Sequence, residues 1–114
     1  MKRLIIAGGR DYNPRPEDER IITDVVKRLG VTEIISGGAR GADAMGENYA
    51  KAMGIPLRVF PANWNKYGKK AGPIRNEKMA STADAVLLFP GGAGTADMRR
   101  KASMYGLEIV EAHP

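Results

Sequence analysis

Apolar positions along the chain alternate between two periods. Residues 3–7, Arg-Leu-Ile-Ile-Ala, form a short apolar run that stops at Gly8-Gly9, which predicts a strand and a turn. Over 17–29 the apolar residues Ile21, Ile22, Val25, Val26 and Leu29 fall three and four apart, one face of a helix. Glu17, Asp18 and Glu19 open that segment and Lys27 and Arg28 close it, matching the helix dipole, and Gly30 ends it. A second strand is expected at 33–36 and a second helix at 40–53, stopped by Gly54. A third strand follows at 57–60. Residues 61–72, "PANWNKYGKKAG", read as irregular. Pro73 opens a third helix to about residue 82, a place where its missing N–H costs nothing. The run "DAVLLF" at 84–89 is apolar throughout after Asp84, so it predicts a central strand covered on both faces. A fourth helix at 95–105 and a last strand at 107–110 complete the pattern.

Strand and helix thus alternate five times through short connections. That order implies parallel strands, right-handed crossovers and helices on both faces. The expected fold is α/β, a three-layer Rossmann-like domain spanning 1–114, with a five-stranded parallel sheet ordered 3-2-1-4-5. In that order the connections reverse between strands 1 and 4, and ligands of such sheets bind at the carboxyl ends of the strands beside the switch point.

Three glycine-rich loops are expected to meet there: "GGRDY" after strand 1, "SGGARGAD" after strand 2 and "PGGAGTAD" after strand 4. A glycine-rich loop opening a helix presents free N–H groups and the positive end of the dipole, an anion cradle. The expected ligand contacts are Gly8, Gly9 and Arg10 in the first loop. In the second they are Ser36, Gly37, Gly38, Arg40, Gly41 and Asp43. Arg75 and Asn76 contribute from the third helix, and Pro90, Gly91, Gly92, Gly94 and Thr95 from the last loop. Ser36 and Thr95 are read as hydroxyl donors and Arg75 as a bidentate phosphate ligand. The loops match neither the G-x-G-x-x-G dinucleotide fingerprint nor a P-loop.

Composition narrows the classes. A chain of 114 residues is one domain by length, and the formal charge of +5 favours an anionic partner. There are no cysteines, which excludes a disulfide framework or thiolate chemistry and fits a cytoplasmic setting. No apolar run reaches the length of a membrane span, and the basic-then-apolar start is too short for a signal peptide. The carboxylates are dispersed, so neither a metal nor another cofactor is expected.

The segments "SGGARGAD", "GPIRNEKM" and "FPGGAGTADM" resemble the SLOG superfamily, the Rossmann-like domains shared by LOG-type nucleotide phosphoribohydrolases and DprA/Smf proteins. With "GGRDY" and "PANWNKYGKKAGPIRN" the chain is most similar to the small YspA-like branch, over nearly its whole length. The resemblance implies binding, as a sensor, of a nucleotide or a nucleotide-derived ligand such as an ADP-ribose-like molecule. LOG-type enzymes carry P-G-G-x-G-T-x-x-E and cleave N-glycosidic bonds with that Glu and an upstream Arg. Arg75 matches the Arg, but Met98 stands at the Glu position. A thioether cannot stabilise an oxocarbenium-like charge. Binding is therefore expected rather than cleavage, with Arg75, Asp97 and Asp43 as the catalytic candidates if the hydrolase alternative holds. Single-stranded DNA binding, as in DprA, ranks last because the basic residues are spread along the chain. The resemblance also implies a homodimer or higher oligomer, with Met98, Met104 and Tyr105 as interface candidates.

Four further expectations can be checked against a structure. Met98, one turn beyond Thr95, is expected to face the crevice and to accept a glutamate sterically. Trp64 is expected to anchor its loop to the core, with Lys66, Lys69 and Lys70 near the ligand. Arg99, Arg100 and Lys101 read as a solvated face. His113 carries no catalytic role.

Overall fold

A computed structural model describes residues 1–113. It contains β1 (Arg3–Ala7), α1 (Asp18–Leu29), β2 (Glu33–Ser36), α2 (Ala42–Met53), β3 (Leu57–Val59), α3 (Trp64–Tyr67), α4 (Ala71–Thr82), β4 (Ala85–Leu88), α5 (Ala93–Met104) and β5 (Glu108–Glu111). A 3-10 turn at Gly68–Lys70 joins α3 to α4. All strand pairs are parallel and the order is β3-β2-β1-β4-β5, as the alternation predicts. Ile5 pairs with Ile35 on one side and with Val86 on the other, so β1 is the central strand.

Side chains alternate across the pleat, and this divides the core in two. Leu4 and Ile6 of β1, with Ala85 and Leu87 of β4, pack against Ile22 and Val25 of α1 and Ala42, Tyr49 and Ala50 of α2. Ile5, Ala7, Val86 and Leu88 face the other way, onto Met79 and Ala80 of α4 and Met98 and Ala102 of α5. Every residue of β4 is buried, which is why its sequence has no polar face.

Element ends depart from the sequence reading where glycine or a nearby acceptor competes with the helix. The second helix starts at Ala42 rather than residue 40, because Gly41 sits at φ 75° and the Ala42 N–H donates to Gly9 O at 3.2 Å. The last helix starts two residues earlier than expected, with Gly92 as its N-cap and Gly94 in its first turn. The segment read as irregular holds α3, whose first turn is fixed by the Asn63 side chain accepting the Lys66 N–H at 3.1 Å. Pro73 lies third in α4, still among positions with no intrahelical acceptor to lose.

His113 does have a structural task. Its Nε2 lies 2.8 Å from Asp18 Oδ1, while Tyr12 Oη and the Arg15 N–H donate to Oδ2 at 2.7 and 2.8 Å. Asp18 is buried at the start of α1. Burial alone would raise its pKa, but the Arg15 N–H, His113 and Tyr12 together hold it below the ordinary value. The Tyr12 hydroxyl is pushed up to about 12 by burial and by its bond to Asp18.

Candidate functional site

The carboxyl ends of β1, β2 and β4 do converge, and much of their glycine content serves that convergence. The Gly9 N–H donates to Pro90 O at 2.9 Å. A Cβ on Gly9 would lie 3.1 Å from the Gly91 Cα, one on Gly91 would lie 2.6 Å from the Gly9 N, and one on Gly41 would collide with the Gly9 and Arg10 carbonyls. Gly8 is pressed between Ala42 and Phe89. Backbone therefore packs on backbone at Gly9, Gly41 and Gly91, and against the Ala42 and Phe89 Cβ atoms at Gly8. Gly92 and Gly94 differ: space is open around both.

These loops form one wall of a cleft of about 650 Å³. Gly8, Gly9, Arg10, Asp43, Arg75, Asn76, Gly92, Gly94 and Thr95 line it, together with Trp64, Lys69, Gly72, Asp97 and Arg100. The amino end of α5 opens onto it. The N–H groups of Ala93, Gly94 and Thr95 precede the first intrahelical bond, from the Ala96 N–H to Gly92 O, and so have no acceptor in the helix. Thr95 is only 7% exposed, and among the described residues its hydroxyl has no hydrogen-bond partner.

Arg75 reaches across from α4. Its Nη1 donates to Gly37 O at 2.6 Å and its Nε to Asn76 Oδ1 at 3.0 Å. Gly37 must be glycine for this, since a Cβ there would meet the Arg75 guanidinium at 2.7 Å and Asp43 Oδ2 at 2.8 Å. Asn76 in turn donates to Gly94 O and, at 2.9 Å, to Asp97 Oδ2. Arg75 is thus tied to both loops, yet no carboxylate among the described residues lies within 4.0 Å of it. Burial lowers its pKa, and the nearby Asp43 charge partly offsets this. A guanidinium remains cationic regardless.

The two acidic groups of the cleft differ in character. Asp97 accepts from Asn76, Lys101 and Arg100. Burial would raise its pKa, but the Asn76 and Lys101 bonds and the charges of Lys101 and Arg100 hold it low. Asp43, in the first turn of α2, has one bond, from the Ala39 N–H at 3.3 Å. Burial raises its pKa to about 6, with Glu47 adding to the rise and the Ala39 N–H, Arg75 and Arg10 opposing it.

Several expected site residues lie elsewhere. Ser36 is fully buried, donates to Glu47 Oε2 at 2.6 Å and accepts the Gly38 N–H at 3.1 Å, so its hydroxyl is committed within the protein. Arg40 pairs with Asp11 at 3.1 Å on the surface. Gly38 and Arg40 line a neighbouring groove, while Pro90 and Gly91 are exposed beside the cleft. Met98 does not project into the open crevice. It is 1% exposed, packs in the α4–α5 core and meets the cleft only as its floor. That burial also removes it from any interface, leaving Met104 and Tyr105 exposed. Trp64 is 47% exposed at the cleft rim and is not a core anchor. Of the three loop lysines, Lys69 alone lines the cleft. Arg100 and Lys101 are not merely a solvated face: both close on Asp97, at the i,i+3 and i,i+4 spacings that the sequence already displays. Among the described residues no group of three or more His, Cys, Asp or Glu is placed to hold a metal, and no helix is long and apolar enough to cross a membrane.

Known proteins agree with this architecture. The crystal structure of TM1055, a structural-genomics target, superposes with a TM-score of 0.71 at 17% identity, over 96% of this chain and 72% of that one. The Gene 61 protein of Mycobacterium phage D29 is 32% identical, over 96% of this chain and 95% of its own length. The model of the YspA, cpYpsA-related SLOG family matches residues 2–67, which includes the first two glycine loops and Trp64. On the family match, the phage relative and the shared fold together, the chain belongs to the YspA, cpYpsA-related SLOG family.

Proposed function

We propose that the cleft binds a nucleotide or a nucleotide-derived ligand, with its phosphate at the amino end of α5. One observation carries this reading. The open Gly92 and Gly94 backbone, the unpartnered Thr95 hydroxyl and the uncapped helix end all face the same space as Arg10, Lys69 and Arg75. Free N–H groups, a helix dipole and unpaired cations together favour an anion. Membership of the SLOG family supports a nucleotide as its source. Calorimetric titration with nucleoside 5′-monophosphates, ADP-ribose and ribose 5-phosphate tests the proposal. The expected result is binding that Arg75→Ala weakens. Absence of heat with every one of these ligands at millimolar concentration would contradict it.

A second reading, cleavage of an N-glycosidic bond, has one observation in its favour: Asp43 is a buried carboxyl of raised pKa in the same cleft as Arg75. Met98 weighs against it, since the glutamate position of the LOG-type pattern is filled by a core thioether. Asp97 is already neutralised by two cations. The expected outcome with nucleoside monophosphates is therefore no release of free base. Turnover abolished by Asp43→Asn would reverse the order of the two readings.

A further inference from the structure

Neither the core nor the anion end of the cleft accounts for Trp64. Its indole is held in place but left half exposed. It stands on α3, whose first turn is fixed by Asn63, and its ring edge rests against Gly72, where a Cβ would come within 3.3 Å of it. Among the described residues, the one group over its face is the guanidinium of Arg10, 5.1 Å from the ring centroid. Arg10 is itself exposed, and no carboxylate among the described residues lies within 4.0 Å of it. The indole lines the main cleft and the neighbouring groove alike, so it stands at their shared rim. A tryptophan left half in water gives up much of the burial that usually justifies so large an apolar side chain. What covers it now is a flexible, planar cation, the kind of group that an indole face attracts and readily exchanges.

We infer that the Trp64 face is the platform for the base of the ligand, and that Arg10 occupies it only until the base arrives. The inference rests on the proposed phosphate site and names the chemical class that site admits: ligands carrying an aromatic ring as well as a phosphate. Purines and pyrimidines stack on indole through their π-faces with little dependence on base identity. Displaced from the ring, Arg10 stays within the same cleft, where a phosphate is its natural partner. Ribose 5-phosphate satisfies the α5 end and leaves Arg10 on Trp64. The platform thereby separates nucleotides from sugar phosphates, which the anion cradle alone would accept equally.

The chain has a single tryptophan, so its fluorescence reports on this ring alone. The full chain is titrated with AMP, GMP, CMP, UMP, ADP-ribose and ribose 5-phosphate, reading fluorescence and calorimetric heat in parallel. The expected result is quenching by the base-bearing ligands and none by ribose 5-phosphate. Trp64→Ala is expected to weaken nucleotide binding about 10- to 100-fold and to leave ribose 5-phosphate within about twofold, with Trp64→Phe restoring most of the loss. Nucleotide heat with unchanged fluorescence and an unchanged affinity in Trp64→Ala would overturn the platform while leaving the phosphate site intact. Equal losses for nucleotides and ribose 5-phosphate in Trp64→Ala would also overturn it, by showing the residue to be structural. Absence of heat with every ligand would overturn both proposals.

Discussion

Met98→Glu tests whether position 98 faces the core or the crevice and can be given a magnitude. The residue is 1% exposed and packs with Ile5, Ile35, Met79, Val86 and Leu88. A carboxylate placed there loses its hydration, so the group folds in its neutral form instead. Holding the proton at pH 7, against an ordinary glutamate pKa of about 4.3, costs about 3.7 kcal/mol, and at pH 5 about 1 kcal/mol. The sign follows from the proton count. A carboxyl whose folded pKa is raised binds more protons folded than unfolded, so the penalty grows as pH rises above the unfolded value. Domains of this size are stable by about 5–15 kcal/mol, so the loss at pH 7 is a large share of the total. Met98→Gln isolates the packing and desolvation loss that does not titrate. Urea unfolding followed by circular dichroism, at pH 5 and pH 7 for wild type and both variants, measures each contribution. The Glu variant is expected to fall below the Gln variant by about 4 kcal/mol at pH 7 and by about 1 kcal/mol at pH 5. A difference under about 1 kcal/mol that does not change with pH would refute the reasoning. It would mean that the side chain reaches water in the cleft, as the bare spacing from Thr95 suggests.

Arg75→Ala is expected to weaken a phosphate-bearing ligand by about 1.5–3 kcal/mol, the scale of a charge-assisted hydrogen bond, while calorimetry of ribose 5-phosphate supplies the reading. Asp43, with its pKa raised to about 6 from 3.8, costs the fold up to about 3 kcal/mol as pH climbs through that window; Asp43→Asn should flatten the decline in urea midpoints between pH 4 and 7. Asp18 has the opposite sign, because its folded pKa is depressed. Its contribution is present above an ordinary carboxylate pKa and vanishes as pH falls below it, so Asp18→Asn should cost stability at pH 7 and progressively less toward pH 3. Gly91→Ala would drive a Cβ into Thr95 and to within 2.6 Å of the Gly9 N. It should cost about 2 kcal/mol or more in thermal unfolding, whereas Gly92→Ala, with open space around it, should leave stability within about 1 kcal/mol.

The sheet could be read from sequence because its signals are long and redundant. The apolar run of Ala85–Phe89 within "DAVLLF" demands cover on both faces, and the two helices before β3 and the two flanking β4 supply it. The site was legible as a place, since three glycine loops at the ends of adjacent strands have few other uses. What individual residues do there was much less legible. Glycine gives the same letter whether it leaves open space beside it, as at Gly92 and Gly94, or makes room for another stretch of backbone, as at Gly41 and Gly91. Ser36 reads as a donor until Glu47, one helix away, is seen to take its hydrogen. Met98 shares a helix face with Thr95, but one turn further on that face has left the cleft and entered the core. Trp64 belongs to a helix of four residues, too short to show a period, so nothing in the pattern marked it as part of a rim.

The central position of β1 has a consequence for how the chain is made. Its partner on one side, β2, is synthesised about thirty residues later, but its other partner, β4, pairs Ala85 with Leu4 and emerges last but one. At ribosomal speeds of about 5–20 residues per second, the β4-facing edge of β1 waits unpaired for several seconds after β2 has docked. During that interval β3, β2 and β1, with α1 and α2, have only one of their two helical layers, and the face destined for Met79 and Met98 is bare. Loop closure over so many residues is also the slow kind of contact. The nascent half-sheet is therefore the stage at which this protein is most exposed to aggregation and most in need of a chaperone, although the finished fold buries Leu4, Ile5, Ile6 and Ala7 of the strand concerned.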